Sequence, residues 1–139
     1  MDLQVGDLLI EKSGGSEDQP VGRIAIITED INENYHLAYS NFIHKIRVCE
    51  EVNTMFLFYF LRTIHNIKIT DVMQSQTNGI RNLIMKEFLN IPISVPPLPI
   101  QKEIADHITN IRQQAKTLEN EAKAAIEEAK SIIEIIILA

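Results

Sequence analysis

From Ile91 to Ile104 the chain reads I-P-I-S-V-P-P-L-P-I-Q-K-E-I. Proline fixes φ and removes a backbone donor, so Pro96, Pro97 and Pro99 exclude a helix interior or a central strand, whereas Pro99 suits the first turn of a helix. A short strand, Ile91 to Val95, is expected before the prolines and a helix after them. The chain thereby divides into a head over residues 1–98 and a helix over residues 99–139. Beyond the junction, Ile104, Ile111, Leu118, Ala125 and Ile132 stand seven apart. Between them Ile108, Ala115, Ala122, Ala129 and Ile136 keep the same spacing, giving an unbroken 4-3-4-3 stripe. A seam this narrow over more than four heptads predicts a coiled coil. From Gln101 to Ile137 the helix would run roughly 55 Å, longer than a small head is wide, and is expected to project from it. The four alanines in the seam suit a partner helix at the close end of the usual 8 to 10 Å or so. The competing possibility is a helix folded back along its own head.

The chain has 139 residues, 45% of them apolar, and one cysteine, Cys49. That is material for one modest core with no internal disulfide, and no apolar segment precedes the first charges, so a cytoplasmic location is expected. The apolar end from Ile132 carries Glu134 and is too short to span a bilayer. Net charge is -6, the wrong sign for a freestanding nucleic-acid binder, but it is unevenly spread. Residues 1–34 hold two basic and eight acidic side chains, residues 35–98 six and four, and residues 99–139 five and seven. In the middle block Lys45, Arg47, Arg62, Lys68, Arg81 and Lys86 suggest a basic face, with an ordinary solvated surface as the equal alternative.

The head reads as α+β. Val5–Ile10 and Arg23–Thr28 are short strands joined by the turn-rich E-K-S-G-G-S-E-D-Q-P. Tyr39–Val48 alternates, with Phe42, Ile46 and Val48 on one side and Asn41, Lys45 and Arg47 on the other. Asn53 or Thr54 caps a largely apolar helix, M-F-L-F-Y-F-L-R-T-I-H, expected to be the centre of the core. Ile67–Met73 reads as a further strand, Q-S-Q-T-N-G-I-R-N as a polar loop, and Leu83–Leu89 as a short helix.

Catalytic signals are sparse. Neither a G-x-G-x-x-G loop nor a phosphate loop is present, and an N-P-P-aromatic motif for holding a flipped base is missing. Glu11 and Lys12 are neighbours on opposite strand faces, unlike the carboxylate set of a nuclease. A Ser-His-Asp triad is spatial and is not read from composition. The four histidines are dispersed and indicate no metal site, and no cofactor is expected.

Taken in order, G-D-L-L-I from Gly6, S-G-G-S from Ser13, V-G-R-I-A-I-I from Val21, the aromatic helix from Met55, T-N-G-I-R-N-L from Thr77 and the proline junction with its heptads resemble one family. It is the target recognition domain of type I restriction-modification specificity subunits. The resemblance spans nearly the whole chain. It implies a non-catalytic, sequence-specific reader of double-stranded DNA that positions separate modification (methyltransferase) and restriction subunits. A full subunit of that family carries two recognition domains and two long helices paired antiparallel. One head, opening at G-D-L-L-I, and one helix therefore imply a partial head belonging to the C-terminal part of a subunit, or a half-subunit. A homodimer through the helix, with Ile104, Ile108, Ile111, Ala115, Leu118, Ala122, Ala125, Ala129, Ile132 and Ile136 at the interface, would restore two heads.

On that resemblance, the candidate DNA contacts fall into three groups. The glycine-centred segment Lys12, Ser13, Gly14, Gly15 and Ser16 suits close approach to a phosphate or groove edge, though a plain turn reads the same way. Gln74, Gln76, Asn78, Arg81 and Asn82 are side chains fitted to base edges and phosphates, with a capped loop as the alternative. Arg23, Lys45, Arg47 and Lys86 are weaker candidates for phosphates. A coiled-coil protein-interaction module without DNA binding is the competing function.

Overall fold

The computed structural model describes residues 3–16 and 18–138. They form two compact units, one ending at Lys102 and one beginning at Glu103.

The first unit is α+β, built on two small antiparallel sheets. In one, β1 (Leu8–Glu11) lies between β3 (Ile24–Ile26) and β4 (Ile43–Ile46). Register sets Leu8 between Ile26 and Ile46, and Ile10 between Ile24 and His44. Side chains alternate across a strand, so Leu8 and Ile10 share a face, and both are fully buried. In the other sheet, β6 (Ile80–Leu83) lies between β2 (Ser13–Gly15) and β5 (Gln74–Thr77). The chain changes sheets at Lys12. Its N–H donates to the Phe42 carbonyl at 2.8 Å beside the first sheet, and its carbonyl accepts from Leu83 N–H at 2.8 Å in the second.

Helix α1 (Glu29–Asn34) follows the first sheet's edge strand, and α2 (Thr54–Asn66) supplies much of the core. Asn53 is the N-cap of α2, its side chain accepting from Phe56 N–H at 2.9 Å. Phe56, Phe58, Tyr59, Leu61 and Ile64 are buried along it, joined by Val21, Ile27, Leu83 and Phe88. The Phe58 and Tyr59 rings meet tilted, with centroids 5.3 Å apart.

Four local expectations are corrected. Ile67–Met73 is not a strand: a 3-10 helix runs over Ile69–Met73, capped by Lys68 at φ +63°. The left-handed residue directly after α2 turns the chain before a ladder can start, leaving Ile67 and Val72 exposed. Ile91–Val95 pairs with nothing among the described residues, because Pro92 within it and Pro96 after it lack ladder donors. The polar 74–82 loop is a hairpin, β5–β6, with Asn78 at φ +52° and Gly79 at φ +79°. Two positive φ values in succession are the geometry that Asn-Gly selects, and that pair was the available signal. The S-G-G segment is the strand β2 and not a turn. Helix α1 had no counterpart among the expected elements, while the short helix expected near Leu83–Leu89 is α3 (Met85–Phe88).

Helix α4 runs over Leu98–Leu138, 41 residues. Pro97 O accepts from Gln101 N–H at 3.2 Å, which places Pro97 at the cap and Pro99 inside the first turn, where its missing donor costs nothing. Gln101 is buried in the first unit. Its Oε1 accepts from Asn53 N–H at 2.8 Å, and its Nε2 donates to Glu51 O at 3.1 Å and Pro96 O at 2.8 Å. One side chain thus satisfies backbone groups at the start of α2 and at the proline junction. Within the second unit, Ile111, Leu118, Ile132 and Ile136 are each more than half exposed. No helix among the described residues is long and apolar enough to cross a membrane.

Candidate nucleic-acid interface

The second sheet joins the two polar segments that the sequence singled out. Ser13 pairs in register with Asn82, and Gly15 with Arg81, across a bulge that leaves Gly14 unpaired at φ +107°. Gly15 is required by close approach: a Cβ there would lie 2.7 Å from both the Gln19 carbonyl and the Val21 side chain. Part of the expected backbone donor set is therefore already spent. Ser16 N–H, for example, donates to Gln19 O at 2.9 Å.

On the other edge, Gln74, Ser75, Gln76 and Thr77 face Leu83, Asn82, Arg81 and Ile80 in turn. Paired residues share a face and neighbours alternate, so the sheet has two distinct sides. Gln74, Gln76 and Arg81 lie on the side of the buried Leu83. Gln74 is turned inward, its Nε2 donating to Thr70 O at 3.2 Å. Ser13, Ser75, Asn82, Thr77 and Ile80 lie on the other side. Ser75 and Thr77 are exposed there, and neither was among the sequence candidates. The signal that would have found them is the period-2 alternation around Asn78-Gly79.

The basic candidates separate. Lys12 stands at the crossing between sheets and Lys86 on α3, exposed. Arg23, Lys45 and Arg47 belong to the first sheet, where carboxylates face them. Arg23 forks onto Glu11 at 2.8 and 2.6 Å, and the Glu11 carboxylate raises the Arg23 pKa further above its ordinary value. Arg47 forks onto Asp7 at 2.8 Å to each oxygen, with Lys45 Nζ at 3.9 Å. Asp7 is buried and also accepts from Gln4 N–H at 2.9 Å. The Arg47 hydrogen bonds hold its carboxyl below the usual carboxylate range, against the opposing effect of burial. Three of the cations expected at phosphates thus already have carboxylate partners. Arg62 lies 6.0 Å from the Phe58 ring centroid.

No group of three or more His, Cys, Asp or Glu among the described residues is arranged to hold a metal ion. One face of this sheet offers the hydroxyls of Ser13, Ser75 and Thr77 and the carboxamide of Asn82, while Gln76 and Arg81 stand on the other. Comparison with curated proteins finds no match to the chain. The model of the type I restriction modification DNA specificity domain, by contrast, matches residues 2–128. With nearly its full length matched, this chain belongs to the type I restriction-modification DNA specificity domain family.

Proposed function

We propose that the chain reads duplex DNA sequence-specifically as a specificity subunit or half-subunit, catalysing nothing itself, in the cytoplasm. The observation that carries this is the sheet β2–β6–β5: on a domain of this family, it collects polar side chains from two segments about 60 residues apart onto one surface. Modification and restriction subunits would supply the chemistry. Because net charge is -6, phosphate attraction from this chain alone is weak, and firm binding is expected with a modification subunit present.

The helix from residue 99 is the assembly element of this reading. Its seam of Ile104, Ile108, Ile111, Ala115, Leu118, Ala122, Ala125, Ala129, Ile132 and Ile136 would pair with the same seam on a second copy. Burial stabilises by roughly 1 to 2 kcal/mol for each larger side chain, enough for association at ordinary concentrations. Sedimentation at micromolar concentration should show a dimer, and Leu118→Glu should give monomers. Monomers in the parent protein would remove this part of the proposal.

Titrating duplex DNA into the chain with its modification subunit, at several salt concentrations, tests the function. An affinity that falls steeply with salt supports DNA reading. The acidic net charge favours a second reading, a coiled-coil interaction module, and binding that ignores salt or fails altogether would support that one instead.

A further inference from the structure

Ser13, Asn82 and Ser75 form a row across all three strands of the second sheet, one residue per strand in register. Alternation places Leu83, which is 5% exposed, on the opposite face, so the row looks away from the side that packs. Ile80, half exposed, stands two residues along the same face of β6.

Within the row, Ser13 Oγ donates to Asn82 Oδ1 at 2.5 Å, and Asn82 Nδ2 donates to the Ile80 carbonyl at 3.3 Å. A carboxamide has two N–H donors and an oxygen with two lone pairs. Subtracting one of each leaves a single donor and a single acceptor on Asn82. Adenine offers the complement in the major groove, one acceptor at N7 and one amino donor at N6. Guanine offers two acceptors there, which the remaining Asn82 oxygen lone pair does not match.

We infer that Asn82 reads an adenine edge in the major groove and that Ser13 is its positioning residue, a specificity device that rests on the DNA-reading function proposed above. The Ile80 carbonyl, an acceptor only, fixes which end of the amide is nitrogen, and the Ser13 hydroxyl holds the oxygen end. Without Ser13 the amide keeps only its 3.3 Å bond to the Ile80 carbonyl, and a side chain held at one end swings out of the orientation that meets the adenine edge. Ile80, beside Asn82, is placed to touch the methyl group of the paired thymine.

The test selects duplexes from a randomised pool with the full chain and its modification subunit, then repeats binding with 7-deazaadenine replacing each enriched adenine. At one adenine, removal of N7 should weaken the wild type about tenfold, and Asn82→Ala should lose a similar factor and be indifferent to the deaza change. Ser13→Ala should lose preference at that same position alone, and Ser13→Thr, which keeps the hydroxyl, should restore it. Salt dependence should be unchanged in every variant, since no phosphate contact is altered. If Asn82→Ala enriches the same consensus as the wild type, or loses preference evenly at all positions, the inference is wrong while DNA reading stands. If the wild type enriches no consensus, DNA reading itself falls and takes the inference with it.

Discussion

The two sheets of the head share one geometry, three short antiparallel strands, and differ in what they bury. In β3–β1–β4 the central strand buries Leu8 and Ile10 completely, and on the other face its charges are matched by neighbours: Asp7 with Arg47 and Lys45, Glu11 with Arg23. In β2–β6–β5 the central strand buries only Leu83, and most of β5 is exposed and polar. A sheet whose apolar residues are buried and whose ions are paired has few groups left over for a ligand. A polar hairpin held by register and a tight turn keeps its carboxamides and hydroxyls available, at the cost of resting on little apolar burial. Position in the fold, more than residue type, separates the arginines of the first sheet from Arg81 of the second.

That contrast can be broken experimentally, most severely in the buried sheet. Ile10→Ala should cost about 3 to 4 kcal/mol of stability in urea denaturation, because it removes a fully enclosed side chain and leaves a cavity, whereas Ile80→Ala should cost under about 1 kcal/mol. Equal costs would show that the second sheet is as much a core element as the first.

Next in size is Asp7→Asn, expected to cost about 2 kcal/mol at neutral pH through loss of a charge-assisted fork. The Asp7 pKa is lowered in the folded state, so its contribution is complete above the ordinary value of 3.8 and fades as pH falls through the lower folded value. The stability curves of wild type and variant should therefore converge in acid below pH 3.8. Curves that stay parallel to low pH would mean that the pair is not what holds Asp7 in place.

The smallest effect is expected in the hairpin. Gly79→Ala places a Cβ at φ +79° and should cost about 1 kcal/mol, chiefly local. Amide exchange should speed up in β5 and β6 while β1 stays protected. Uniform loosening of both sheets would show that they unfold as one cooperative unit and would weaken the contrast.

Legibility in the sequence tracked the range of the forces involved. A cap for α2 at Asn53 or Thr54, the buried character of that helix and its approximate ends were readable because capping and apolar patterning act within a few residues, and the structure selects Asn53. Ile46 beside buried Leu8, with Lys45 and Arg47 on the charged face, was readable from alternation, but Phe42, expected on the side of Ile46, is exposed and lies before β4 begins at Ile43. The hairpin β5–β6 was readable in principle from Asn78-Gly79, but its strands carry no apolar alternation and so passed for a loop. Ile67–Met73 misled for the converse reason: β-branched residues imitate a strand where the left-handed Lys68 forces a turn. For the candidate site, residue types singled out two segments that the second sheet joins, while the pairing of Arg23, Lys45 and Arg47 with carboxylates, the inward turn of Gln74 and the presence of Ser75 and Thr77 beside Asn82 did not show.

By itself the sequence determined the proline junction, the long helix and its uninterrupted seam, because a missing donor and a seven-residue period are properties of neighbouring residues. It also carried the order of segments that marks the family. Only the tertiary structure decided that Ser13 stands against Asn82, 69 residues away, and that Gln101 closes the start of α2. Register between distant polar strands is set by the packing of everything between them, and no local pattern encodes it.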